Sequence, residues 1–210
     1  MSSWIPNIHI PGILKRSHSD AVMLTSRPSI QQKASLDLDC IPEVEGESEV
    51  LLLDEIKYLS GSLPPRILGA DWRLVYSTSS KGFSLGNVYR SFQGKTGPTL
   101  VSIQDTAGAA FGALISEPIK MDEHFYGTGE SFLFSVRPNR KIYKWTGENQ
   151  LFVQGTSQSL IIGAGEGHFG LFIDSNLYKG RTQACATYGN EPLRTGEDFL
   201  IKTFECWTFR

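Results

Sequence analysis

The chain has few of the residues that would cross-link a small protein or form a metal site. Its three cysteines, Cys40, Cys185 and Cys206, are odd in number and far apart, with no CxxC pair. This pattern favours neither a disulfide framework nor a zinc site, and the HExxH spacing of metalloproteases is also absent. It is typical of the reducing cytosol or nucleus. We therefore predict no metal and no cofactor.

The chain also lacks a strong charge of either sign and a long apolar run. Its formal net charge is −2 over 210 residues, which gives no basic patch of the kind that nucleic-acid-binding proteins carry. No run approaches the roughly 18 apolar residues of a membrane span. Pro6, Pro11 and Gly12 interrupt the N-terminal segment, which does not have the pattern of a signal peptide. We predict a cytoplasmic protein that binds no nucleic acid and reaches the nucleus or organelle membranes only through a partner.

Charge changes sign along the N-terminal part of the chain. Residues 1–36 carry four positive charges and one negative charge, whereas residues 37–49 carry six negative charges and no positive ones. Together with scattered proline and serine, this segment is typical of disorder. From about Val50 onward, charge is balanced and aromatic residues are frequent. The sequence predicts a disordered tail over residues 1–48 and a single, monomeric domain over residues 49–210.

The domain has the pattern of a β-rich fold with a few helices. Apolar residues at i, i+4 and i+7 predict a short amphipathic helix over residues 52–59, and a second is predicted over residues 85–92, with Ser84 as its N-cap. Strands without helices between them predict a mostly β, α+β fold: a two-sheet antiparallel sandwich flanked by two or more short helices. Strands are expected at residues 72–76, 100–103, 111–115, 132–136, 142–145, 151–153, 160–162, 169–173 and 199–209.

A Thr-Gly-Glu triplet beside aromatic residues occurs twice, at residues 125–130 (FYGTGE) and 143–148 (YKWTGE). If the two turns lay side by side, Glu130 and Glu148 could form an acid/base pair like that of glycoside hydrolases. Alternatively, each carboxylate could accept backbone N–H groups that the glycine turn leaves free. We favour this second interpretation.

Two further side chains are candidates for chemistry. Glu166 lies in the glycine-rich run at residues 163–170, which leads into a strand pattern rather than a helix, so we interpret the run as a bend between strands and not a nucleotide loop. Cys185 could sense oxidants if its pKa were low, but we expect a partly buried, inert thiol. With no GxSxG motif, no catalytic residue is assigned. Glu130, Glu148, Glu166 and Cys185 remain the candidates for an enzyme.

A succession of blocks along the domain is more informative than any one of them. In chain order they include residues 63–66 (LPPR), 72–78 (WRLVYST), 111–118 (FGALISEP), both Thr-Gly-Glu segments, 169–174 (FGLFID), 177–181 (LYKGR), 185–190 (CATYGN) and 205–207 (ECW). This succession, from near residue 50 to the end, resembles the TLDc domain of the oxidation resistance proteins and their nuclear receptor coactivator relatives. The chain looks like a short, TLDc-only member. It departs from the family pattern at Ala164 and Glu166, within the glycine run, and at Phe172, where the family has tryptophan.

The resemblance implies a two-sheet sandwich with flanking helices, protection against oxidative stress, and binding to the vacuolar proton-pumping ATPase. We therefore predict a non-enzymatic interaction module that regulates this pump. The alternative is an enzyme that acts directly as a hydrolase or as a thiol-dependent peroxide scavenger. The positions predicted as family-motif or interaction residues are Phe125, Tyr126, Gly127, Gly129, Glu130, Trp145, Gly147, Gly163, Gly165, Gly167, Gly180, Arg181 and Trp207.

Overall fold

The computed structural model describes residues 42–210. Most of the predicted disordered tail, and Cys40, lie outside these residues. Within them, Val44–Glu45 form a strand that pairs with Trp72 and Arg73, and the Ser48 hydroxyl donates to the Glu205 carboxylate at 2.7 Å. The folded domain therefore begins at or before Val44, ahead of the boundary predicted between residues 48 and 49.

Within residues 42–210 the chain forms twelve strands and three α-helices, with a short 3₁₀ helix at Pro65–Ile67. The helices are α1 (Leu53–Ser60), α2 (Thr78–Lys81) and α3 (Leu85–Phe92). The strands are β1 (Val44–Glu45), β2 (Trp72–Ser77), β3 (Thr99–Asp105), β4 (Ala110–Ile115), β5 (Asp122–Tyr126), β6 (Phe132–Arg137), β7 (Lys141–Lys144), β8 (Val153–Gly155), β9 (Ser159–Gly165), β10 (His168–Asp174), β11 (Lys179–Arg181) and β12 (Asp198–Phe209).

The strands form two sheets that share β12. The first sheet has the order β1-β2-β12-β3-β4-β6-β7, and the second has the order β5-β8-β9-β10-β11-β12. The N-terminal end of β12 pairs with β11, while its longer C-terminal part pairs with β3 and β2. All pairings are antiparallel except the short contact of β1 with β2. The predicted fold class, an α+β antiparallel sandwich, is confirmed.

Apolar side chains form one core between the sheets and a second on the outer face of the first sheet. Val101 in β3 belongs to the core between the sheets, whereas its neighbour Leu100 belongs to the outer core, as the alternation of a strand requires. Ile56 and Leu59 of α1 cover the outer core, while α3 packs its apolar face into the inner core. The first sheet is therefore buried on both faces.

The two predicted helices are confirmed, and so is the Ser84 cap, whose hydroxyl accepts the Asn87 N–H at 3.4 Å. The elements that the sequence pattern did not predict are the short ones: α2, β1, β5 and β11. β5 and β11 read DEHFY and KGR, so they carry no apolar alternation that would reveal a strand. No helix within residues 42–210 is long and apolar enough to cross a bilayer.

Candidate functional site

Both Thr-Gly-Glu segments have the same threonine hydrogen bond but differ in the backbone conformation of the glycine. The Thr128 hydroxyl accepts the Glu130 N–H at 3.3 Å, and the Thr146 hydroxyl accepts the Glu148 N–H at 3.2 Å. Gly147 of the second turn has φ +87, a conformation that favours glycine. The threonine hydroxyls, and not the glutamate carboxylates as we expected, therefore bond the N–H groups of these turns.

The two carboxylates are used differently. Glu130 forms an ion pair with Arg66 of the 3₁₀ helix, and Arg66 also donates to the Ser116 carbonyl at 3.0 Å. Among residues 42–210 the Glu148 carboxylate has no hydrogen-bond or ion-pair partner. Because one carboxylate is paired with a cation and the other points to solvent, the two do not form an acid/base pair.

Both turns are tied to residues 185–190 (CATYGN). The Thr146 N–H donates to the Thr187 carbonyl at 3.0 Å, which anchors the second turn. The Tyr188 hydroxyl donates to Ser131 at 2.9 Å, which anchors the residue that follows the first turn. We call the two turns together with residues 185–190 the motif scaffold.

Asn149, directly after the second triplet, closes the motif scaffold. Its side-chain oxygen accepts the Leu151 N–H at 3.0 Å and lies 2.8 Å from the Thr187 hydroxyl. Its side-chain nitrogen donates to the Ala164 carbonyl at 3.1 Å, and its own carbonyl accepts the Trp145 indole N–H at 2.7 Å. Asn149 and Thr187 were not among the predicted site residues, although Thr187 lies inside a block that carried the resemblance and Asn149 directly follows one.

The glycine-rich run makes room for residues 185–190. A Cβ at Gly163, where φ is +74, would stand 2.6 Å from the Tyr188 ring, and one at Gly165 would stand 2.7 Å from Ala186 Cβ. The run comprises the end of β9, the turn at Glu166 and Gly167 and the start of β10, which pairs with β9, so the bend between strands is confirmed at these two turn residues. The glycines accommodate a segment of the chain itself, which leaves no space there for a phosphate.

Glu166 lies at the tip of the β9–β10 hairpin. It has φ 54 and the following Gly167 has φ 79, the two left-handed conformations of a type I′ turn. Both residues are exposed. Glu166 therefore points to solvent at the end of the hairpin.

The Cys185 thiol is buried, with 6% of the residue exposed, and its sulfur lies 3.2 Å from the Asn190 side-chain oxygen. Burial raises the pKa of Cys185, and complete burial raises that of Cys206 still further. Since the thiolate is the reactive form, both environments disfavour reaction with oxidants. Cys185 is thus more deeply buried than the partly buried thiol that we expected.

A groove joins the two triplet segments at the surface. It has a volume of about 290 Å³ and lies between the loop of Pro64 and Pro65 and the Trp145 ring. Trp145 packs directly on Gly129, where a Cβ would stand 2.1 Å from the ring, and edge-on to Phe152 at 5.5 Å. Gly129 of the first triplet therefore provides the surface on which the Trp145 ring of the second segment packs.

The groove contains only one of the four candidate chemical groups, Glu130. Three further clefts, lined by residues of the β11 region and of the β6–β7 turn, contain none of the four. Residues 42–210 hold no group of three His, Cys, Asp or Glu side chains placed to bind a metal. The four candidate groups do not converge on any one of these four clefts.

The remaining motif residues of β5 support the turn that follows. Phe125 is half-buried, and Tyr126 receives the Lys120 N–H on its hydroxyl at 3.1 Å while the Lys120 ammonium lies 4.5 Å from its ring centre. Burial raises the pKa of Tyr126 to about 12. Gly127 has φ +101, which lets the chain turn toward Thr128.

The other three motif positions lie on β11 and β12. A Cβ at Gly180 would stand 2.2 Å from the Phe199 ring, so glycine is required there. Arg181 binds both carboxylate oxygens of Asp198, at 2.6 and 2.8 Å, on the exposed surface. Trp207 is fully buried in the outer core, and its indole N–H donates to Ser102 at 3.3 Å.

The structure is thus an α+β sandwich domain in which two Thr-Gly-Glu turns are tied to residues 185–190. The TLDc domain family matches residues 44–210, and the chain belongs to that family. Oxidation resistance protein 1 of Rattus norvegicus is 43% identical over 187 residues, covering 89% of this chain and 22% of the relative.

The human oxidation resistance protein 1 is also 43% identical over 187 residues, covering 89% of this chain and 21% of its own length. Nuclear receptor coactivator 7 of Mus musculus is 42% identical over 169 residues, covering 80% of this chain and 18% of the relative. The chain therefore spans about a fifth of the length of the curated relatives it matches.

Proposed function

We propose that the chain is a non-enzymatic interaction module that acts in protection against oxidative stress by binding and regulating the vacuolar proton-pumping ATPase. The oxidative role is supported by the relatives named oxidation resistance protein 1. The pump as partner rests on the family resemblance. We further propose a cytoplasmic location, with organelle membranes reached through the partner.

The observation that carries a binding role is the separation of the reactive groups. Glu130 is paired with Arg66, Glu166 lies at a hairpin tip and Cys185 is buried under residues of the motif scaffold. The hydrogen bonds and glycine contacts of the motif residues are used to hold the chain in shape. Such a scaffold supports a role in presenting a surface rather than in converting a substrate.

Trp145 is the best anchor for a partner on that surface. It is 39% exposed, yet its indole N–H is bonded to Asn149 and its ring rests on Gly129 and against Phe152. A large aromatic side chain that is already immobile loses little entropy when a partner covers it, and such residues dominate binding energy at interfaces.

The test is affinity capture from a cell lysate under conditions that keep the proton pump assembled, followed by immunoblots for its subunits. The full chain should recover them, and Trp145→Ala should lower the recovery at least tenfold. Phe83→Ala is the matched control, because Phe83 is an exposed aromatic, 47% accessible, outside the groove. Failure of the intact chain to recover any pump subunit would remove the proposal, as would equal losses for the two variants.

A further inference from the structure

The outer face of the second sheet carries a patch around β11 that the motif scaffold does not use. We propose that this patch binds an acidic segment of a partner protein that also presents a large apolar side chain. The proposal goes beyond the function proposed above, since it concerns a different surface and does not depend on which protein supplies the segment.

The register of three strands places the patch on one face. Lys179 pairs with Leu200, Arg181 pairs with Asp198, and Phe172 pairs with Arg181 on the other side. Residues directly opposite each other project from the same face of a sheet, so these five side chains share the outer face. We call them the β11 face.

The partners of the inner face confirm this orientation. Gly180 pairs with Phe199, which is buried in the core between the sheets together with Ile173. Their neighbours Leu200 and Phe172 are absent from that core. The β11 face is therefore a true outer surface.

The β11 face combines two open clefts with apolar walls. One, of about 400 Å³, is lined by Phe169 and Phe172, whose rings stack at 6.2 Å. The other, of about 480 Å³, is lined by Leu200, which is 40% exposed. Lys179, Gly180 and Asp198 line both clefts, so Lys179 stands between two apolar depressions.

Among the charged groups that line the two clefts, Lys179 is the one cation without an ion pair to a described residue. Arg181 is bound bidentately by Asp198, and the Arg194 guanidinium lies 2.7 Å from the buried Asp105 carboxylate. Each carboxylate that lines the clefts is thus matched to an arginine. Among residues 42–210 the Lys179 ammonium makes no ion pair, although the whole chain has a net charge of −2.

These features together specify the ligand. A carboxylate would compensate the Lys179 charge, and an adjacent apolar side chain would cover either the Phe169–Phe172 wall or Leu200. Small-molecule sites are typically concave and enclose most of the ligand, whereas this patch lies open on a sheet. A peptide segment of a partner fits such an open surface better.

The experiment is a titration of the full ¹⁵N-labelled chain, followed by amide chemical shifts, with the capped peptide acetyl-Glu-Phe-Leu-Glu-amide. Two matched peptides carry glutamine for both glutamates or alanine for both apolar residues. The acidic apolar peptide should shift amides of β11, Phe172 and Leu200, and both matched peptides should bind at least tenfold more weakly. Binding should also weaken as salt rises, because the charges are at the surface.

The variant Lys179→Glu should reduce the affinity at least tenfold. Lys95→Glu is its control, because Lys95 is also a lysine without an ion pair among the described residues but lines neither the two clefts nor the Trp145 groove. The proposal is overturned if no amides of the β11 face shift, if the glutamine peptide binds equally well, or if the two variants have the same effect. Because none of these measurements involves the proton pump, their outcome is separate from that of the capture experiment.

Discussion

The segment 185–190 and strand β11 are close in sequence but use their polar groups in opposite ways. In the segment, the Asn190 amide donates to the Gln183 and Glu191 carbonyls at 2.7 and 2.9 Å, and the Thr187 hydroxyl lies among groups of Asn149 and Ala164. On β11, Lys179 faces solvent. Changes in the motif scaffold should therefore alter stability, whereas changes on the β11 face should alter binding.

The largest effect should come from filling the space that the scaffold requires. Gly163→Ala combines a positive φ with a Cβ at 2.6 Å from the Tyr188 ring. Backbone strain and overpacking together should lower the free energy of unfolding by about 2 to 4 kcal/mol. Chemical denaturation followed by tryptophan fluorescence measures it.

Gly167→Ala is the matched control for this change. Gly167 has φ +79, but a Cβ there meets nothing within 4 Å, so only backbone strain of about 1 kcal/mol is expected. Equal losses for the two variants would show that contact with residues 185–190 contributes nothing, and the contrast between the two regions would lose its basis.

A smaller loss of stability should follow when the side-chain hydrogen bonds of Asn149 in the motif scaffold are removed. Asn149→Ala leaves the Leu151 N–H without its side-chain partner and removes one of the two side-chain donors to the Ala164 carbonyl, which should cost about 1 to 3 kcal/mol of unfolding free energy. Glu148→Ala, one residue earlier, should change stability by less than about 0.5 kcal/mol, because its carboxylate has no partner within residues 42–210. A destabilised Glu148 variant with an unaffected Asn149 variant would reverse the assignment of roles.

Apolar spacing and turn residues were enough to predict the longer strands and the helices α1 and α3, because burial imposes those patterns. They did not predict β5 or β11, whose strand conformation depends on neighbours elsewhere in the chain. For the site, local patterns marked Gly163 and Gly165 as unusual but could not say what fills the space beside them. Tyr188 fills the space beside Gly163 and Ala186 fills the space beside Gly165, and only the tertiary fold brings these residues together.

The smallest effect should be a difference in pH dependence between the two ends of β12. Glu205 is fully buried, and burial raises its pKa above the ordinary value of 4.5, although Ser48 and the Glu49 N–H each donate to it at 2.7 Å. Asp198 is exposed, and its hydrogen bonds with Arg181 lower its pKa. The two carboxylates therefore respond to pH with opposite signs.

A raised carboxyl pKa contributes stability that is complete below the unfolded value and is lost as pH rises through the folded value. The stability of the wild-type chain relative to Glu205→Gln should therefore fall as pH rises from below 4.5 toward neutrality. Relative to Asp198→Asn, it should instead fall slightly as pH decreases, because a lowered pKa favours the ionised form in the folded state. The measurement is the free energy of unfolding of the wild-type chain and of the two variants, taken from unfolding curves between pH values below 4.5 and neutrality. The same slope for both variants would mean that Glu205 is not held in a desolvated site, and β12 would then lack the contrast between a buried and an exposed end.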